Sequence, residues 1–222
     1  MLVDGAGTRK LMDHMGNPES GTEVGLLAPV VGKWFLLFEY DDVGHVKDDE
    51  KDSLDTDAIL ESMKKGNEKA NKERRKRGFT PLKVVGWGQK PVYNPKTKNL
   101  EWGVIAESEG SRVLNYDIRI LGREGVMRVR LVDGPQTFQK SLQLCRQLLP
   151  GFSFVKGETY AEYKKGDKLA KYGLTALIAG GAAAVAVKSG LFRWIWKGLV
   201  FAFVAIGGLF KKVFGGGRKS RR

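Results

Sequence analysis

The chain has 222 residues, 38 of them Lys or Arg and 25 Asp or Glu, giving a formal charge of +13 and a pI near 9.8. That length holds one ordinary domain plus an appendage, or two small domains, and the charge first suggests a partner with an anionic surface. Hydrophobic residues at 42% supply a core and exclude wholesale disorder, while a single Cys145 and only His14 and His45 exclude a disulfide framework, a cysteine zinc site and a multi-histidine metal centre.

In chain order, Thr8 to Met15 is a weak helical patch, and Gly16, Asn17 and Pro18 punctuate a turn. VVGKWFLLFEY, residues 30–40, is β-branched and aromatic and predicts a buried strand. The acidic stretch DDVGHVKDDEKDSLDTD leads into a helix over 57–77, with Ile59, Met63 and Ala70 on its apolar face. Asp55 or Thr56 is the expected N-cap and Gly78 the stop. Acids gather at the start of this helix and Lys72, Arg74, Arg75, Lys76 and Arg77 at its end, as the helix dipole favours.

Strands follow at 82–87 and 91–102, the second interrupted by a turn at Asn94–Asn99. Leu100, Trp102, Val104 and Ala106 alternate with more polar or smaller residues. In the next two strands Leu114, Tyr116, Ile118 and Ile120 alternate with Asn115, Asp117 and Arg119, and Met127, Val129 and Leu131 alternate with Arg128 and Arg130, across a turn at 122–125. This is an antiparallel meander with one polar face. A helix over 135–149 turns Phe138, Leu142, Cys145 and Leu149 inward, and FSFV at 152–155 reads as a return to the sheet. The fold class is α+β: helices packed on an antiparallel sheet, followed by C-terminal transmembrane helices.

The charge is unevenly placed. Residues 167–222 hold eleven Lys and Arg against Asp167 alone, so +10 of the +13 lies there and residues 1–166 carry only +3. The mean hydropathy of −0.29 hides two uncharged runs in the same segment, Tyr172–Val187 over 16 residues and Gly198–Phe210 over 13. One helix through both would reach about 58 Å, far beyond a hydrocarbon core of roughly 30 Å, so two short spans are expected. Between them Lys188, Arg193 and Lys197 suit the headgroups and Trp194 and Trp196 the membrane–water interface. Ala176, Gly180 and Ala184 recur every four residues, a spacing that lets a second helix approach closely. The expected organisation is a soluble domain over 1–166, a membrane anchor over 167–214 and a basic tail over 215–222, with the lipid bilayer and anionic headgroups as partners.

Motifs for chemistry are sparse. Gly5 and Gly7 begin a Gly-x-Gly, but position 10 is Lys and no strand is expected before it. Asp48, Asp49, Glu50, Asp52, Asp55 and Asp57 form an acidic cluster, yet Ser53 stands where a calcium loop needs Gly and its closing Glu is missing. Arg119, Arg123, Arg128 and Arg130 come together on one hairpin and would hold carboxylates or phosphates if its polar face were open; the alternative is cross-strand pairing with Glu101, Glu107 or Asp117. Asp48, Asp49, Asn115, Arg119 and Arg123 are the candidate binding residues. No cofactor, metal or catalytic residue is implied.

HVKDDEKDSLDTDAIL, NKERRKRGF, LKVVGW with PVYNPKTKNLEW, NYDIRILGREGVM, YAEY and KYGLTALIAGGAAAV occur in that order. Over roughly residues 11–214 the chain resembles the membrane-anchored bacterial proteins grouped as domain of unknown function 2167. The resemblance implies an exported domain followed by a C-terminal hydrophobic anchor, and no activity. Members begin with a signal peptide and further strand-forming sequence, so Met1 reads as a truncated start. The expected function is a non-enzymatic binding or scaffolding module of the cell envelope, held in the cytoplasmic membrane with its domain outside and an envelope protein as a further partner. One alternative is a membrane-bound hydrolase or metal-dependent enzyme using residues 48–57. Another is nucleic-acid binding in the cytoplasm through KERRKR at 72–77, and positive charge flanking the spans would by itself keep the domain inside.

Overall fold

The computed structural model describes residues 1–15, 20–76, 78 and 80–180. Its strands are β1 (Leu2–Asp4), β2 (Glu23–Leu27), β3 (Phe35–Asp41), β4 (Lys83–Asn94), β5 (Asn99–Ser108), β6 (Ser111–Leu121) and β7 (Val126–Asp133). They form one antiparallel sheet in the order β1-β2-β3-β7-β6-β5-β4. The helices are α1 (Gly5–His14), α2 (Thr56–Lys76), α3 (Phe138–Leu148) and α4 (Leu174–Ala179).

The expected meander is β4 to β7, joined by the anticipated turns at 94–99 and 122–125, and it forms the α+β core. β4 is continuous where two strands were expected, because register shifts at Val84/Gly86, Trp87/Gln89 and Gln89/Val92 absorb the extra residues as bulges. The strand expected over 30–40 begins only at Phe35, since Pro29 lacks an amide donor and Gly32 takes φ +144°, which lifts Val30–Lys33 out as a turn. FSFV joins no strand; Phe152 and Phe154 pack their rings against the α3 side of the sheet instead.

Helix chemistry follows the sequence closely. Asp55 Oδ1 accepts from the amides of Asp57 and Ala58 at 3.2 and 2.9 Å and caps α2, whose far end stops at Gly78 with φ +74°. Asp4 caps α1 by accepting from the Gly7 amide at 2.7 Å. Ile59 and Met63 of α2 meet Leu100, Trp102 and Val104 of β5, and Phe138, Leu142 and Cys145 of α3 meet Tyr116, Ile118, Val129 and Leu131 on the opposite side. Met12 and Met15, in and after α1, cover Leu26, Phe35 and Leu37 on the same side as α2. The middle strands are therefore enclosed on both faces, the condition under which a sheet has no solvated side for polar residues.

The described part of the first apolar run, Tyr172 to Gly180, enters the fold. Leu174, Leu177 and Ile178 of α4 are buried in the core formed by α2 and β5, and Gly180 ends the helix at φ +109°. Among the described residues no helix is long and apolar enough to cross a membrane. The expected edge at 166/167 thus falls within a packed segment. The run beyond Gly180, with Ala184, Lys188, Arg193, Trp194, Trp196, Lys197 and the tail over 215–222, lies outside the described residues.

Candidate functional site

Two clusters hold the residues singled out from the sequence, and they are built differently. The first lies across the middle strands. Register places Trp102 opposite Asp117, Asp117 opposite Arg130 and Arg130 opposite Leu37; on the next rung Leu100, Arg119, Arg128 and Glu39 follow one another. The apolar row of β5 and the polar rows of β6 and β7 therefore share one face. Of the two readings of the guanidinium row, the open face is the one that does not hold: Asn115 is 0% exposed, Arg119 5%, Arg128 7% and Arg130 6%.

The charges inside neutralise one another. Asp117 Oδ1 accepts from Arg119 Nη1 at 3.0 Å and Arg130 Nε at 2.9 Å. Arg128 Nη2 donates to Glu39 Oε1 and to Thr22 Oγ1, both at 3.0 Å, and its Nε lies 2.9 Å from Asp41 Oδ2. Arg119 also stacks over Trp102, 4.7 Å from the ring centroid. Burial raises the pKa of Asp117, but Arg130 and Arg119 more than offset it and hold the carboxyl below its usual range. At Asp41 burial wins over Arg128 and Arg119, and the pKa is raised. This is cross-strand pairing, and of the three acids weighed for it only Asp117 joins; Glu107 pairs with Arg112, and Glu101 accepts from Tyr116 on the α3 side.

The second cluster is a clasp around the strap that leads from α3 to α4. Arg123 grips Asp167 with two hydrogen bonds, Nε to Oδ2 and Nη2 to Oδ1, each 2.6 Å, and its Nη1 donates to Gly157 O at 3.0 Å. His45 donates its amide to Lys168 O at 2.7 Å and accepts from the Ala170 amide at 2.9 Å. Its ring lies between Tyr160 and Tyr163, with centroids 4.3 and 4.2 Å away, and Nδ1 is 3.1 Å from Arg123 O. Asp48 Oδ2 accepts from Tyr93 at 2.7 Å and Lys98 at 3.1 Å, and Tyr160 donates to Val46 O at 3.1 Å. Glu50 Oε2 accepts from the Thr175 amide at 2.7 Å in the first turn of α4. Asp49 is exposed beside them.

Of the five candidate residues, Asp48 and Arg123 therefore belong to the clasp, while Asn115 and Arg119 belong to the buried layer. The acids of 48–57 also serve structure, since Asp48 takes two donors, Glu50 receives α4 and Asp55 caps α2. Among the described residues no group of His, Cys, Asp and Glu is arranged to hold a metal. In the basic run, Arg74 is only 7% exposed and donates Nε to Thr80 O at 2.8 Å. Burial pushes the Cys145 thiol up to about 11, the environment of a core residue. The five interfacial residues from Lys188 to Lys197 fall outside the described residues.

Glu39, Asp41, His45, Tyr160, Tyr163 and Asp167 were missed from the sequence. Their partners lie far off along the chain: Arg123 and Asp167 are 44 residues apart, and Arg128 and Glu39 are 89. Only the alternation Leu37, Glu39, Asp41 hinted at a charged face on β3.

A family model described as protein of unknown function (DUF2167) matches residues 1–210. No curated protein matches the chain.

Removing one partner of a buried ion pair leaves the other charge unmatched. Asp117→Ala is expected to cost about 3–5 kcal/mol, read from the urea midpoint, because two guanidiniums lose their carboxylate; a loss below about 1 kcal/mol contradicts the layer. Asp167 is held down to about 2 by Arg123. Its folded pKa lies below the unfolded value, so the stabilisation is present above pH ~4 and lost as pH falls toward 2. Limited proteolysis with pepsin should therefore cut the strap over 157–170 progressively through that window, and Arg123→Ala should make the strap cleavable at neutral pH by trypsin.

Proposed function

The chain belongs to the DUF2167 family, and we propose that it is a non-enzymatic, membrane-anchored module that binds or scaffolds an envelope component. In this reading the anchor lies beyond the described residues, in the apolar sequence that continues past Gly180, and the domain stands outside the cytoplasmic membrane. The observation that carries the reading is the clasp. The strap is tied to β3–α2 residues by main-chain bonds at His45 and to the 122–125 turn by Arg123, and α4 is sunk in the core. A segment that leads into strongly apolar sequence is thus presented by a fixed platform rather than a loose linker, as a module that positions something at a surface requires.

The charged groups fit this reading better than a catalytic one. Asp117, Arg119, Arg128, Arg130, Arg123 and Asp167 are engaged with one another, so each is spent on holding the fold. The +10 carried by 167–222 suits anionic headgroups.

Thr97 is exposed in the β4–β5 turn and Cys145 is fully buried, so Thr97→Cys offers a single reactive thiol. In intact cells a membrane-impermeant maleimide should label it, and the protein should resist alkaline carbonate extraction. Labelling only after the inner membrane is opened places the domain inside. Release by carbonate contradicts the anchor.

A further inference from the structure

We infer that the turn between β2 and β3 is a second site of contact with an anionic lipid bilayer, made by the domain itself. The inference rests on the membrane-anchored reading and extends it from the C-terminal sequence to the folded part. Val30 is 86% exposed and Val31 90%, the two most exposed large apolar side chains among the described residues. Two adjacent β-branched residues held in water are unfavourable unless something covers them.

The chemistry around them fits a lipid interface. From Val24 to Phe38 the sequence has no acid and one cation, Lys33, and Trp34 next to it is half-buried. An apolar tip, a lysine able to reach phosphate and an indole at the margin are the components of an interfacial segment. Leu2, 77% exposed on β1, pairs in register with Leu27 and widens the apolar rim of the same sheet end. Lys33 opposes a symmetric second copy, because two such tips would bring like charges together, and the nearest acids in sequence, Glu23 and Glu39, are buried.

The tip is also pre-shaped. Leu27 and Leu36 are paired on either side of it, and the Ala28 amide donates to Met1 O at 2.9 Å. A Cβ on Gly32 would lie 2.9 Å from Pro29 Cγ, so proline and glycine close the turn and hold the valines outward. The chain thus needs little further ordering to insert them.

The test uses the full chain reconstituted in vesicles of phosphatidylethanolamine and phosphatidylglycerol with a share of doxyl-labelled lipid. An environment-sensitive fluorophore is attached at Val31→Cys or, as the control at the opposite end of the strands, at Thr97→Cys. Emission from position 31 should shift to the blue and fall roughly twofold or more with doxyl lipid, while position 97 changes little. Two further glutamates, Val30→Glu with Lys33→Glu, should abolish the quenching. No quenching at 31 in chains that float with the vesicles after carbonate overturns the contact and leaves the anchor standing. No quenching in chains that do not float defeats both. A blue shift at 31 that grows with protein concentration and ignores doxyl lipid assigns the tip to a second copy and overturns the inference.

Discussion

A sheet covered by helices on both faces can hold charge in its middle only if every charge finds its opposite there. That is the position of Asp117. Its carboxylate sits between two guanidiniums, one from its own strand and one from the strand beside it, and a second set built on Arg128, Glu39 and Asp41 continues the layer onto β3. Apolar packing already favours one register, and buried charge sharpens that preference. A slip of one residue would turn Asp117 and Arg130 to the opposite face, against the aromatic core of α3, and leave their charges unmatched. The layer therefore fixes how β3 joins the β4–β7 meander.

With β3 fixed, the segment that follows it is placed at the end of the sheet where the strap returns. His45 lies four residues beyond β3 and makes two main-chain hydrogen bonds with the strap, donating to Lys168 O and accepting from the Ala170 amide, while Arg123, just past β6, supplies the ionic grip. The clasp thus reads out the same strand order that the charge layer sets. Its consequence is mechanical: α4 is carried by the core, up to its end at Gly180.

The local elements were legible because their causes are local. The caps Asp55 and Gly78, the turns at 94–99 and 122–125, and the inward row Phe138, Leu142, Cys145 all depend on neighbours within a few residues. From the sequence the polar row of β6 reads correctly as one face, with an open array and cross-strand pairing as alternatives. Alternation reports which residues share a face; what covers that face depends on chain far away, here α1 and α2 on either side of the charged strip. The short strands β1 and β2 carried too little β-branched sequence to stand out, and EVGLL is interrupted by a glycine at a register shift. The clasp left no trace in spacing, since its pairs span 34 to 125 residues.

The central claim is that strap and domain are one cooperative unit, and native-state amide hydrogen exchange on the unmodified chain addresses it most directly. The Ala170 and Leu177 amides, bonded to His45 O and Gly173 O, should exchange through the same global opening as Tyr116 and Ile118 in the middle of the sheet. Matching protection, with the same dependence on urea, is the predicted result. Exchange of Ala170 and Leu177 orders of magnitude faster, with no urea dependence, would mean that the strap opens by itself and that the clasp does not hold.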